Sequence, residues 1–354
     1  MSPAVDRQLP TTSARFLATR ALLLACAATS SALAGLLAAP VQAQNVLPDI
    51  YATNGVVHAT MFVDTVLYIG GQFTQVGPAT GAFVSVDVTT GEPRTSFPKV
   101  AGVVFARASD GAGGWFVGGN FTSVGGVVRN NLAYITANNT VSAWNPNPSG
   151  PVYALVRNGS TLYVGGEFAT IGGQSRPNAA ALSTSTGLAN SWNPSANARV
   201  YTLALNGTTL YAGGEFTRIG GPTRNYIAAL NTTTGTALSW NPNASLTVWS
   251  IAVSGDRVIA GGEFATIGGQ VRNGIAALDA ATGLASPWNP DKDGVVYSVA
   301  VSDTVVYAGG LFTYIGGQPR SCIAALSLST GQATAWDPNA NFTVWSVAVS
   351  GSTV

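Results

Sequence analysis

The sequence predicts an all-β chain built from a repeated four-stranded unit, and three markers in fixed phase carry that prediction. A double glycine followed one residue later by Phe occurs at Gly165-Gly166-Glu167-Phe168, Gly213-Gly214-Glu215-Phe216, Gly261-Gly262-Glu263-Phe264 and Gly309-Gly310-Leu311-Phe312, each 48 residues after the last. Earlier copies stand at Gly70-Gly71-Gln72-Phe73 and Gly118-Gly119-Asn120-Phe121. Trp-Asn-Pro keeps the same beat at Trp144, Trp192, Trp240 and Trp288, with Trp336-Asp337-Pro338 after them and Ser96-Phe97-Pro98 as a degenerate first copy. Valine-led strands start at Val57, Val104, Val152, Val200, Val248, Val296 and Val344. Internal repeats of this length mark stacked or radial architectures.

The N-terminus reads as an export signal. Arg7, Arg15 and Arg20 precede an apolar run from Ala21 to Ala39, and Val41-Gln42-Ala43 offers small residues for cleavage after Ala43. The expected domains are therefore a signal peptide over 1–43, a lead-in over 44–54 and the repeats over 55–354. Two other readings of the first segment are an uncleaved membrane anchor and a lipoprotein box, Leu23-Leu24-Ala25-Cys26. Once Cys26 leaves with the signal, Cys322 is the sole thiol, so packing rather than a disulfide must hold the fold.

Within one repeat, residues 200–205 (VYTLAL) have strand composition. Asn206-Gly207 is a hairpin turn signal, and residues 209–212 run into the double glycine. A longer loop follows, then the strand YIAAL at 226–230. Asn231 to Gly235 turn the chain into an outer fourth strand that ends at Trp240-Asn241-Pro242, where Pro removes a ladder donor. Such a sheet alone leaves both faces wet, and radial stacking of copies buries them. The expected fold is a β-propeller, with small Ala at 228, 229, 276, 277, 324 and 325 letting sheets approach and Phe and Trp filling the outer gaps. Six units are complete, and the chain stops within the second strand of a seventh.

At these residues the chain resembles the kelch-like propeller group, which carries a double Gly after strand two and a Trp closing strand four. It is more closely similar to secreted bacterial proteins with delta-60-type repeats, whose units read much like VYSVAVSDTVVYAGGLFTYIGGQPRSCIAALSLSTGQATAWDPNAN at 296–341. Fungal cortical cell-polarity marker proteins carry similar units. The resemblance implies a propeller domain of unknown function. Ala277-Leu278-Asp279 with Thr282-Gly283 and Trp288 is similar to the tryptophan-docking motif of quinoprotein propellers, but Ser183, Asn231 and Ser327 replace Asp279 elsewhere, which marks shared hairpin chemistry.

Charged residues are only 9% of the chain, which does not suit a highly charged disordered protein. Without the first 43 residues, 13 basic and 14 acidic residues remain, so no basic excess exists to neutralise nucleic acid, and membrane contact is expected only through an N-terminal anchor. The one histidine, His58, falls in register with Phe105, Tyr153, Tyr201, Trp249, Tyr297 and Trp345, and reads as packing. No metal or cofactor is expected, because copper and zinc sites need more ligands than the sequence offers. Asp291-Lys292-Asp293-Gly294 lacks the further oxygen ligands of a calcium loop. Arg129, Arg176, Arg224, Arg272 and Arg320 recur after the Gly-Gly loop and read as loop staples, like the repeated tryptophans. No catalytic residue is assigned.

The expected function is a non-catalytic secreted, periplasmic or cell-surface scaffold that binds a protein or glycan. The alternatives are a carboxylate-dependent polysaccharide hydrolase or lyase and a quinoprotein-like envelope assembly factor. Ligand contact is expected on the face bearing the longer loops, at Arg199, Arg218, Asp291, Lys292 and Asp293, with Asn243 and Asn341 as milder candidates.

Overall fold

The computed structural model describes residues 53, 55–63, 66–73, 82–87, 89–93, 96–350 and 353–354. The export signal, its cleavage point, Cys26 and nearly all of the lead-in lie outside these residues. Among them no helix occurs, and the strands pair antiparallel into small separate sheets.

Each sheet belongs to one repeat. Unit one pairs Val56–Val63, Val66–Gln72 and Phe83–Asp87 in that order. Unit two pairs Val100–Ser109, Trp115–Val124 and Leu132–Ile135. Units three and four use Val152–Asn158, Thr161–Gly166 and Ala179–Ser183, then Val200–Asn206, Thr209–Gly214 and Ile227–Asn231. Units five and six use Val248–Ser254, Arg257–Gly262 and Ile275–Asp279, then Val295–Val301, Val305–Leu311 and Ile323–Ser327.

The expected fourth strand is not formed as a strand. It survives as one isolated bridge per unit: Val86 with Pro93, Ile135 with Val141, Leu182 with Ala189, Leu230 with Ala237, Leu278 with Ala285 and Leu326 with Ala333. Three residues later in the last five units the chain seats its Trp, and the following Asn-Pro or Asp-Pro cannot continue a ladder because Pro has no N–H. The segment is held by side chains instead. Trp144, Trp192, Trp240 and Trp288 are 1–6% exposed, and each indole N–H donates to a backbone carbonyl 39 residues on, in the next unit: Ser183, Asn231, Asp279 and Ser327, at 2.9–3.1 Å. Each Trp thus closes its own unit and binds the next.

The apolar clusters lie between successive sheets. Ala179, Ala181, Tyr163 and Trp192 of unit three pack with Val200, Leu210 and Phe216 of unit four. Tyr211 and Ile227 pack with Val248, Val258 and Phe264 in the same way one unit later. The paired alanines at 228, 229, 276, 277, 324 and 325 are at most 2% exposed. The seventh copy forms no strand in its described part, but Val344 N–H donates to Gly310 O at 3.0 Å, which lays it against unit six.

Candidate functional site

The double glycine shapes the first strand of each unit. In unit four, Val200 pairs with Gly214 and Thr202 with Gly213, so Tyr201 is an extra residue in the ladder. The same slip leaves His58, Phe105, Tyr153, Trp249 and Tyr297 as the bulged residue of their first strands. A bulge bends a strand and re-aims its side chain. Glycine opposite the bulge also clears the next unit: a Cβ on Gly213 would stand 2.8 Å from Val248 Cγ1 and 3.2 Å from Ile251 Cδ1.

The bulged side chains meet one another. Ring centroids run from His58 to Phe105, Tyr153, Tyr201, Trp249, Tyr297 and Trp345 at 5.1, 5.2, 5.2, 4.4, 5.9 and 4.4 Å, and Trp345 returns to His58 at 6.3 Å. The circuit is therefore continuous through seven planar groups, at spacings typical of aromatic pairs. Burial holds the His58 imidazole below its ordinary pKa, so it is neutral at pH 7.

Polar groups border this circuit. Tyr201 Oη donates to Glu215 at 2.8 Å, Tyr153 Oη to Glu167 at 3.3 Å and Trp249 Nε1 to Glu263 at 3.0 Å. Arg199 spans two units, with Nε 2.7 Å from Glu167 and Nη1 3.3 Å from Glu215. Its guanidinium holds the Glu167 carboxyl below the ordinary carboxylate range. The circuit and the residues after it line a central cavity of about 250 Å³. Arg107 also lines it, at a position where the other units carry Thr60, Leu155, Leu203, Ile251, Val299 and Val347. Sequence reading missed Arg107; a lone cation in an otherwise mostly aliphatic register was the signal.

The five loop candidates are not one cluster. Arg199 belongs to the rim just described. Arg218 donates from Nε to Gly221 O at 2.7 Å, within its own loop. Asp293 accepts the N–H groups of Thr313 and Tyr314 at 2.8 and 2.9 Å, the same task that Ser149, Asn197 and Ser245 perform in earlier units. Asp291 takes a bond from Asn273 Nδ2 at 2.8 Å and has φ 39°, at a position left-handed in five units. Lys292 is 9% exposed and its ammonium donates to Gly294 O. Its electrostatic link to Glu263 ties it to the rim.

Arg129, Arg176, Arg224, Arg272 and Arg320 repeat one arrangement. Each donates from Nη2 at 2.6 Å to a backbone carbonyl further on (Ser142, 13 residues on, and Asn190, Leu238, Ser286 and Thr334, each 14 residues on) and from Nη1 to the carbonyl of the preceding residue. Among the described residues, no three of His, Cys, Asp and Glu stand close enough together to hold a metal ion.

A family model described as a domain of unknown function (DUF5122) β-propeller matches residues 209–236, the second and third strands of unit four. No curated protein matches the chain. Among solved structures, the WD40 β-propeller domain of Doa1 is similar at TM-score 0.50 and 13% identity, over 84% of this chain and 90% of that one. The fold is a β-propeller. The computationally designed Ika8 protein is also similar, at TM-score 0.52 and 15% identity, covering 85% of this chain and 94% of its own. Identities this low speak for the propeller fold alone. In this propeller the planar groups of units three to five hydrogen-bond to the glutamates of their Gly-Gly-Glu-Phe segments.

Proposed function

We propose that this chain is a non-catalytic propeller of seven blade positions that is exported and binds a protein or glycan across the end of its axis. The reading rests on one observation, the continuous circuit of seven planar side chains bordered by Glu167, Glu215, Glu263 and Arg199. Aromatic groups with a polar edge give large contact area with hydrogen-bonding reach, the composition of recognition surfaces. The repeats resemble the delta-60 type, and the basic then apolar N-terminus with its small-residue cleavage point supports secretion or surface display.

The carboxylates fit this role better than hydrolysis. A general acid needs a carboxyl whose pKa is raised, whereas Glu167 is held low by Arg199. Glu215 shares the same guanidinium. The rim is a set of acceptors fixed by the aromatic groups that donate to them, two of them charge-paired with Arg199.

The test is a binding screen of the purified protein against immobilised polysaccharides and envelope proteins, repeated with Tyr201→Ala and Trp249→Ala. Binding in the wild type that falls at least tenfold in both folded variants supports the reading. Reducing-end release from a bound polysaccharide would replace it with the hydrolase alternative.

A further inference from the structure

Arg107 is out of keeping with its surroundings. Its register position is aliphatic in five other units, where Leu155, Leu203, Ile251 and Val299 are only 7–9% exposed. The guanidinium donates from Nη2 to the Thr60 carbonyl, and its Nε, like that of the five loop arginines, is shielded from solvent without a hydrogen-bond partner. Among the described residues no carboxylate pairs with it. A guanidinium stays charged at any ordinary pH and carries five donors. Even with burial pulling this one down to about 10, it remains a cation at neutrality. Arg107 is half-buried, and a charge that has lost part of its water is normally paired, because that loss is costly.

The same cavity holds further donors. Thr202 Oγ1 accepts from Ile251 N–H at 3.2 Å, Ser250 Oγ from Val299 N–H at 3.1 Å, and Ser298 Oγ from Val347 N–H at 3.0 Å. All three residues line the cavity. Each is engaged as an acceptor by the next blade, which leaves its own proton to donate. One fixed cation and a set of hydroxyl donors define a place for an anion. The charge is matched by a monoanion, because the rim carboxylates oppose a more highly charged ligand. The volume, about 250 Å³, is several times the roughly 30 Å³ share of one water and admits a small organic acid.

We propose that the central cavity is a binding site for a small carboxylate, free or borne on an acidic sugar, held by Arg107 with the hydroxyls of Thr202, Ser250 and Ser298. Guanidinium and carboxylate match as a bidentate pair. The site concerns a ligand inside the cavity and does not depend on a partner spanning the rim.

Calorimetric titration of the full chain at pH 7 and constant ionic strength tests it, with sodium acetate, galacturonate, a galacturonate oligomer, glucose and inorganic phosphate as probes. Saturable binding of acetate or galacturonate, with none for glucose, is expected. Arg107→Leu restores the residue of units three and four, and should fold while losing at least tenfold in affinity. If it does not fold, Arg107→Gln carries the same expectation. Tighter binding of the oligomer than of the monomer identifies an acidic polysaccharide as the source, and equal binding identifies a free acid. The proposal is overturned by no saturable heat with any carboxylate, by phosphate binding alone, or by undiminished affinity without the Arg107 charge. None of these outcomes touches the rim variants that test the macromolecular face.

Discussion

Gly274 and Lys292 are complementary: a Cβ on Gly274 would stand 2.5 Å from Lys292 Nζ. Four other units hold Asn131, Asn178, Tyr226 and Cys322 at the glycine position, all with φ between 60° and 64°. They hold Pro148, Ala196, Ala244 and Ala340 at the lysine position. In unit five the large residue has moved from one position to the other. Gly274→Asn should therefore cost about 1–3 kcal/mol, the range for overpacking. With Lys292→Ala in the background the same change should cost clearly less, since Asn tolerates the left-handed conformation and only the approach to Gly262 O, 2.6 Å from such a Cβ, remains. Chemical denaturation of the four proteins of this cycle measures the coupling, and equal costs in both backgrounds would refute the pairing.

Lys292 also gives the fold a pH dependence. Burial pulls its ammonium down to about 8, although Asp293, Asp291 and Glu263 pull the other way. The unfolded chain retains this proton up to about pH 10.4. Between roughly pH 8 and 10 the unfolded state binds more protons, so stability rises with pH in that window. After allowance for screening by nearby water the gain is about 1–2 kcal/mol. Denaturation midpoints at pH 7.5 and 9.5 should differ in wild type, and this part of the difference should vanish in Lys292→Ala. An identical pH dependence in the two proteins would exclude Lys292 as its source.

The β-propeller was legible because its sequence markers are steric. Gly213, Trp240 and Ala228 each occupy a place where another size fails, so they repeat at a fixed interval. The planar register at His58 and Tyr201 was legible too, but its closure into a circuit was not, because that depends on a bulge in each first strand that a period of two conceals. The outer strand was over-read: turn chemistry at Asn231 to Gly235 predicts a hairpin, yet one bridge at Ala237 is all that forms before Trp240 is drawn inward. Arg107 escaped notice because a single departure inside an aliphatic register has no period. Loop residues such as Asp293 looked free for a ligand, since a side chain that caps the next loop 20 residues away cannot be told from a solvated one by sequence.

Trp240 and Arg224 should separate in their effects on stability. Trp240 is 3% exposed, lies in the cluster between units four and five, and donates to Asp279 O at 2.9 Å. Trp240→Ala should destabilise by about 3–5 kcal/mol. Arg224 donates to Thr223 O and Leu238 O, and water can reach those loop carbonyls once the side chain is gone. Arg224→Ala should cost about 1–3 kcal/mol. Urea titration gives both values, and a larger loss for Arg224 would mean that loop staples rather than interblade tryptophans dominate cohesion.

Arg199 offers the separation of binding from folding. It is 41% exposed and bridges Glu167 and Glu215, which are 43% and 35% exposed. Exposed ion pairs contribute about 0–1 kcal/mol because water and salt screen them. Arg199→Ala should therefore leave the thermal midpoint within a few degrees of wild type. It should nonetheless alter recognition, because it releases the Glu167 and Glu215 carboxylates that accept from Tyr153 and Tyr201 in the circuit. The contrasting variant is Asp293→Ala, which removes the acceptor for Thr313 and Tyr314 N–H and should cost about 1–2 kcal/mol with little effect on binding. Thermal melts and affinity for a macromolecule found in the polysaccharide and envelope-protein screen provide both readouts. Strong destabilisation by Arg199→Ala, or affinity lost in Asp293→Ala but kept in Arg199→Ala, would move the recognition surface from the axial rim to the outer loops.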